Sequence, residues 1–336
     1  MTVLLASRAF FEQYDADIAR LSAIDGPRGR IERVEVPEDE VGRLAPEDME
    51  RITIAFLSGD MGDRPELGLR RRLLGAVRRA PHIEWLHVSN AGTDNPVYAE
   101  LMEKRIVVSN SGGSNAEPIA LTTLGVLLAM ARGLPRYVEG QRNHEWRVAS
   151  RTETPPDLRG QTVTIVGMGA IGGFLASFLR PIGVHIIGVR RTPAGAAEGV
   201  DEWVPPGRIA EVLPRTQWLV LAAPLTEQTR GMIDANALAL LPPGAHVLNV
   251  GRGPVMDEDA LIASIRSGHL GGAYLDVFAQ EPLPADSVLW DLPNVILTPH
   301  DSAISQGNAP RASAIFIEEL ERWQRGEQPK RSIVAD

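Results

Sequence analysis

Residues 162–173 read "TVTIVGMGAIGG", and the reading of this stretch decides the fold. Thr162–Val166 is short and β-branched throughout, as a buried strand requires. Gly167, Gly169 and Gly172 then form G-x-G-x-x-G, and "AIGGFLASFLRPIG" follows with a helical pattern. In a strand–turn–helix of this kind the first glycine permits the tight turn and the second lets a pyrophosphate approach the backbone. The third lets the helix pack on the strand. The anion then sits at a positive helix N-terminus. A glycine-rich turn on its own is weak evidence, since such turns also arise for packing alone. Strand before and helix after favour a dinucleotide turn made by Gly167, Met168, Gly169, Ala170, Ile171 and Gly172.

The next strand, "HIIGVRRTP" from His185 to Pro193, qualifies the ligand. Dinucleotide folds usually end this strand with an acid that bonds the adenosine ribose. Here the position offers Arg190, Arg191 and the hydroxyl of Thr192. A carboxylate would repel a 2′-phosphate, whereas guanidinium groups grip that dianion. NADP(H) is therefore the expected cofactor, with NAD(H) still possible. The alternative is that both arginines lie on a solvated loop edge.

Further along, "WLVLAAP", "AHVLNVG", "GGAYLDVF" and "NVILTPH" continue the alternation of short apolar strands with helices. Upstream, "TVLLAS", "ITIAFLS", "IEWLHVS" and "RIVVSN" alternate with the helical patterns "FFEQYDADIARLSA" and "ELGLRRRLLGAVRRA". Both halves thus predict α/β structure with parallel sheets. Between them one long apolar helix is expected over "AEPIALTTLGVLLAMARGL". "NHEWRVASRTETPPDLRG" then reads as a linker or arm, because its double proline and polar run break any regular element. A last amphipathic helix, "APRASAIFIEELERWQRG", closes the chain.

At 336 residues there is room for two domains. Apolar residues make up 44% and charged residues 23%, the values of a soluble globular protein. The net charge of -9 argues against nucleic acid or an anionic membrane as the main partner. The five arginines of "LRRRLLGAVRRAPH" read as a solvated helix face in so acidic a chain. No cysteine occurs, which excludes disulfides, thiolate catalysis and cysteine-ligated metals. No metal site is expected. The N-terminal apolar run is too short for a signal peptide, and "LTTLGVLLAMAR" is too short to span a membrane, so a cytoplasmic protein is expected.

Three further stretches stand at the ends of the later strands, where ligands bind in open α/β sheets. They are "NVGRGPVMDEDAL", "LDVFAQEPLP" and "LTPH". In this order and spacing, with "APLTEQTRGMI" and "LWDLPNVILTPH", the chain resembles the D-isomer-specific 2-hydroxyacid dehydrogenase family from about Asn90 to His300. The arginine-bearing strand end is closest to its glyoxylate/hydroxypyruvate reductases.

The resemblance implies a function and a site. A hydride would pass between nicotinamide and a small 2-oxo or 2-hydroxy acid of D configuration. The family's catalytic arginine, glutamate and histidine fall on Arg252, Glu281 and His300. Reduction of a 2-oxo acid needs a proton for the developing alkoxide, and a histidine, with its ordinary pKa near neutrality, suits that task. Glu281 would hold the ring, and Arg252 would clamp the substrate carboxylate and polarise the carbonyl. Asp276 and the backbone around Val250 would meet the nicotinamide carboxamide. Ala222, Ala223 and Pro224 would line the cofactor cleft, and Asn90, Ala91 and Gly92 of "SNAGTDN" would hold the substrate carboxylate. Asp301, after His300, departs from the usual apolar residue.

The same resemblance implies a Rossmann coenzyme domain over residues 114–302, inserted in a flavodoxin-like substrate domain made of residues 1–113 and 303–336. It implies a homodimer, with Trp146 in the arm as a contact. Two alternatives fit the pattern. One is a family member acting on another donor such as phosphite, which the arginine–glutamate–histidine set does not exclude. The other is a non-catalytic dinucleotide-sensing regulatory protein, against which the complete catalytic set argues.

Overall fold

The computed structural model describes residues 1–39, 42–90, 95–191 and 199–333. The chain forms two compact units, Met1–Asn115 with Ser305–Asp336 and Ala116–Ile304.

The first unit is built on five parallel strands: β1 (Thr2–Ala6), β2 (Ile31–Glu35), β3 (Ile54–Leu57), β4 (Trp85–Val88) and β5 (Val107–Asn110). Their order is β2-β1-β3-β4-β5, the flavodoxin-like arrangement. Side chains alternate along each strand, so Val3 and Leu5 enter one apolar layer while Leu4 and Ala6 enter the other. The second layer explains why the chain returns here at its end. The helix Asn308–Gln324 sends Phe316, Ile317, Leu320 and Trp323 into it, and Phe316 stacks on Phe56 with centroids 4.1 Å apart. Full burial of such a side chain stabilises by roughly 1.5–3 kcal/mol. His87 sits in the same aromatic layer, wholly buried, with Nδ1 2.7 Å from Ser109 Oγ and Nε2 2.9 Å from Ser111 Oγ. Burial, and secondarily Arg331, push its pKa down to about 3.

The second unit contains seven parallel strands: β6 (Thr162–Val166), β7 (His185–Val189), β8 (Glu202–Val204), β9 (Trp218–Leu221), β10 (His246–Asn249), β11 (Gly272–Leu275) and β12 (Val295–Leu297). Their order is β12-β11-β10-β9-β6-β7-β8. The strand order reverses beside β6, the Rossmann switch point at which dinucleotides bind. Alternation again divides the core: Leu219, Leu221 and Val247 face one helix layer, and Trp218, Val220 and Leu248 the other.

Two elements differ from the sequence expectation. The strand β2, "IERVE", lies at a sheet edge and pairs only with β1. Its Glu32, Arg33 and Glu35 are not buried, so it lacks the apolar run that marks the other strands. The long helix expected to run to Leu134 ends at Ala131, and Leu134–Arg142 forms a separate helix bent by 74° from it. Gly133 supplies the break with φ of 63°, a conformation that costs glycine little. Among the described residues no single helix is long and apolar enough to cross a membrane.

Candidate active site

The glycine turn lies between β6 and the helix Ala170–Leu179. Gly167 follows β6 with φ of 97°, and a Cβ there would stand 2.5 Å from the backbone nitrogen of Ala223. A Cβ on Gly172 would stand 2.5 Å from the Gly167 carbonyl oxygen, so the helix Ala170–Leu179 could not seat against the turn. Gly169 is the N-cap of that helix, and a Cβ built on it meets nothing within 4 Å. The open side of Gly169 is where a pyrophosphate would approach the backbone. Met168 is buried in the core beneath, Ala170 is exposed and Ile171 partly buried.

A cavity of about 450 Å³ begins at this turn. Gly167, Met168 and Gly169 line it, with Arg190 and Arg191 from the end of β7 and Ala223 and Pro224 from the end of β9. Both arginines are exposed. Thr192 lies outside the described residues. Thr226, Gln228 and Thr229 also line the cavity; they belong to "APLTEQTRGMI", whose spacing carried the resemblance without singling them out. The turn, the arginine pair and the β9 loop thus line one space.

From there the strand-end loops pack backbone on backbone. Ala222 donates its N–H to Val166 and Val250 donates to Leu221, so each loop leaves the sheet in register. A Cβ on Gly251 would stand 2.6 Å from the Ala223 carbonyl oxygen, and one on Gly253 only 1.9 Å from that of Phe278. The two glycines therefore hold Arg252 between the β9 and β11 loops. Asn249, wholly buried at the end of β10, completes the turn. Its Oδ1 accepts from Gly251 N–H at 3.1 Å and its Nδ2 donates to the Arg252 carbonyl at 3.1 Å. The Arg252 guanidinium donates to the Gly251 carbonyl at 2.8 Å.

Glu281 and His300 meet at the ends of the next two strands. Glu281 Oε2 lies 2.8 Å from His300 Nδ1, and its Oε1 accepts from the Phe278 N–H at 3.0 Å. Each carboxylate oxygen thus has a partner, and Nδ1 is the ring nitrogen that Glu281 holds. His300 is a non-glycine residue with φ of 55°, a conformation that survives only where its surroundings over-determine it.

Asp276 is what over-determines it. Its carbonyl accepts the His300 N–H at 2.9 Å. Its Oδ1 accepts from the Asp301 N–H at 3.1 Å, the Ser302 N–H at 3.0 Å and the Thr298 hydroxyl, while Oδ2 accepts from the Ser302 hydroxyl. Tyr274 joins through Thr298 Oγ1 at 2.9 Å, and burial pushes its hydroxyl up to about 12. The Asp276 carboxylate, 3% exposed, is thus largely occupied by the loop that carries His300. Thr298, Ser302 and Tyr274 had no signal of their own in the sequence; a buried acid at a strand end implies donors, but not which ones.

Arg252, Glu281, His300, Asp276, Val250 and the glycine turn all belong to the second unit, at the carboxyl ends of its strands. The proposed carboxylate-holding loop belongs to the first. Asn90 follows β4, is exposed and accepts from the Tyr98 hydroxyl at 3.3 Å; Ala91 and Gly92 lie outside the described residues.

Comparison with known proteins bears on what this arrangement is. The profile of the D-isomer specific 2-hydroxyacid dehydrogenase, NAD binding domain, matches residues 124–302. A glyoxylate reductase of Korarchaeum cryptofilum is 33% identical over 255 residues, covering 74% of this chain and 76% of that protein. A D-3-phosphoglycerate dehydrogenase of Methanocaldococcus jannaschii is 31% identical over 257 residues, but the chain spans only 47% of its length. Among solved structures, the D-isomer specific 2-hydroxyacid dehydrogenase of Xanthobacter autotrophicus Py2, in complex with NADPH and MES, superposes with a TM-score of 0.72 at 28% identity, covering 99% of this chain and 98% of that one. The chain belongs to the D-isomer specific 2-hydroxyacid dehydrogenase family of NAD(P)-dependent oxidoreductases.

Proposed function

We propose that the protein reduces a 2-oxo acid to its D-2-hydroxy acid, and oxidises it in reverse, with NADP(H) as the preferred cofactor. The observation that carries the reading is the Glu281–His300 pair, 2.8 Å apart, on the same strand-end face as the glycine turn. The reduced nicotinamide supplies a hydride to the carbonyl carbon when bound. His300 gives a proton from Nε2 to the oxygen on which charge develops, and takes it back in the oxidative direction. Glu281 holds Nδ1, fixing the ring. Arg252 clamps the substrate carboxylate with its planar fork and polarises the carbonyl.

Gly167–Gly172 would hold the phosphate chain, with Gly169 offering the open approach. Arg190 and Arg191, both lining the cavity that starts at this turn, favour a 2′-phosphate over a bare ribose. Ala222, Ala223 and Pro224 border the cofactor, with the backbone at Val250. Among the described residues Asp276 Oδ2 accepts from the Ser302 hydroxyl alone, and its second lone pair would take the carboxamide. Residues 1–113 and 303–336 act as the substrate domain. The enzyme works as a homodimer in which Trp146, 95% exposed, meets the partner.

The test is spectrophotometric. NADPH and NADH oxidation is followed with glyoxylate, hydroxypyruvate, pyruvate and bulkier 2-oxo acids. Turnover with NADPH and at least one of these is expected; none with any of them overturns the reading and favours a sensor.

A further inference from the structure

A second cavity, of about 680 Å³, opens directly beside the Glu281–His300 pair. Its walls are Phe278, Pro282, Leu283, Trp290, Leu297 and Pro299, and Thr298, Glu281 and His300 complete it. Two features define its chemistry. The indole N–H of Trp290 donates to the Pro284 carbonyl at 2.9 Å, so this side chain, 54% exposed, has only its apolar surface left to offer. Among the described residues the lining includes no lysine or arginine, and each oxygen of its one carboxylate already has a hydrogen-bond partner, His300 Nδ1 for one and the Phe278 N–H for the other. A charged substituent entering here would lose water and meet no guanidinium or ammonium group from these residues. An apolar one would gain burial.

We infer that this cavity receives the side chain of the substrate, and that the preferred 2-oxo acids carry a bulky branched or aromatic group at carbon 3. The inference rests on the proposed reduction of 2-oxo acids, and on the contiguity of the cavity with the proton donor. Selection by such a pocket is additive in methylene groups, each being worth roughly ten-fold or more in kcat/KM. Nothing in the sequence singles it out, since Leu283 and Trp290 of the β11–β12 connection meet Leu297 of β12 only when that connection folds back on the strand.

The experiment compares kcat/KM at saturating NADPH for glyoxylate, pyruvate, 4-methyl-2-oxopentanoate, phenylpyruvate and 2-oxoglutarate. A rise of at least ten-fold from pyruvate to one of the two bulky apolar acids is expected, with 2-oxoglutarate below both. Leu283→Asp should lower kcat/KM for the bulky substrates at least ten-fold more than for glyoxylate, and Trp290→Phe should keep the preference. Glyoxylate or 2-oxoglutarate as best substrate overturns the inference and leaves the reductase reading standing. So does a Leu283→Asp variant that loses all substrates equally. A variant that keeps its selectivity but changes sedimentation with protein concentration overturns it in favour of a second copy seated in the cavity. Absence of turnover with every 2-oxo acid sinks the reductase reading and this inference with it.

Discussion

The Ser302 backbone N–H reaches the Asp276 carboxylate at 3.0 Å, and the Ser302 hydroxyl reaches the other oxygen of the same group. Two residues beyond His300, the chain is thereby tied back to the end of β11. With the His300 N–H on the Asp276 carbonyl, three successive amides, those of residues 300 to 302, converge on one residue. A left-handed non-glycine backbone costs roughly 1–3 kcal/mol, and this convergence is what holds it at His300. Asp276→Asn turns one acceptor oxygen into a donor and sets it against donors already in place. The variant should lose at least ten-fold in kcat, while Ser302→Ala, which keeps the amide contact, should lose less. Steady-state kinetics with a thermal melt check this. An Asp276→Asn enzyme with unaltered kcat would show that His300 does not depend on the tie.

His300→Ala removes the proton donor, and general acid–base catalysis contributes typically 10²–10⁴-fold. A loss of that size in kcat is expected, with the Kd for NADPH within about three-fold of the parent. Arg252→Lys keeps the charge but not the planar fork, so it should raise KM for the 2-oxo acid and lower kcat together. Fluorescence titration with NADPH separates these losses from cofactor binding. Unchanged turnover in His300→Ala would remove it from the chemistry.

Much of this molecule is legible in its sequence, for identifiable reasons. Both sheets declare themselves because parallel strands buried on two faces are continuous apolar runs, as in "WLVL" and "IAFL". The strand β2 does not, since an edge strand tolerates Glu32, Arg33 and Glu35. Gly167–Gly172 is readable because a turn's backbone demands write directly into residue type. The partners of Asp276 are not: Thr298 and Ser302 are ordinary small polar residues until tertiary packing brings them to one carboxylate. The apolar cavity is hidden for a similar reason, its walls being spread through residues 278–300 and meeting only when that stretch folds back on itself.

Arg190 and Arg191 both line the cavity at the glycine turn. Charge-assisted contacts to a dianion are lost when both are replaced by alanine, whereas a bare ribose loses little. KM for NADPH should rise at least ten-fold, and KM for NADH less than three-fold. Equal effects on the two cofactors would place the pair on a solvated edge.

Gly172→Ala forces a Cβ to within 2.5 Å of the Gly167 carbonyl oxygen. Either the helix Ala170–Leu179 moves away or the turn distorts; overpacking of this kind costs typically 1–3 kcal/mol. A lower Tm and weaker NADPH binding should appear together, and NADPH should restore less of the Tm than it does in the parent. A variant with parental affinity would show that the turn does not need this close seat.

His87 sets an acid limit in the first unit. Its pKa is pushed from 6.5 down to about 3, chiefly by burial, so the folded chain keeps the ring neutral. Above pH 6.5 both folded and unfolded states hold it neutral, and its contribution is fully present. As pH falls below 6.5 the unfolded chain takes up a proton that the folded chain refuses. Stability then drops by up to about 1.4 kcal/mol per pH unit until the folded pKa is reached. His87→Gln can still bond Ser109 and Ser111 but has nothing to titrate. It should melt lower than the parent at pH 7.5, where it underfills the aromatic layer, and lose less Tm between pH 6.5 and pH 4.5. Parallel Tm–pH curves for the two proteins would assign the acid sensitivity to other groups.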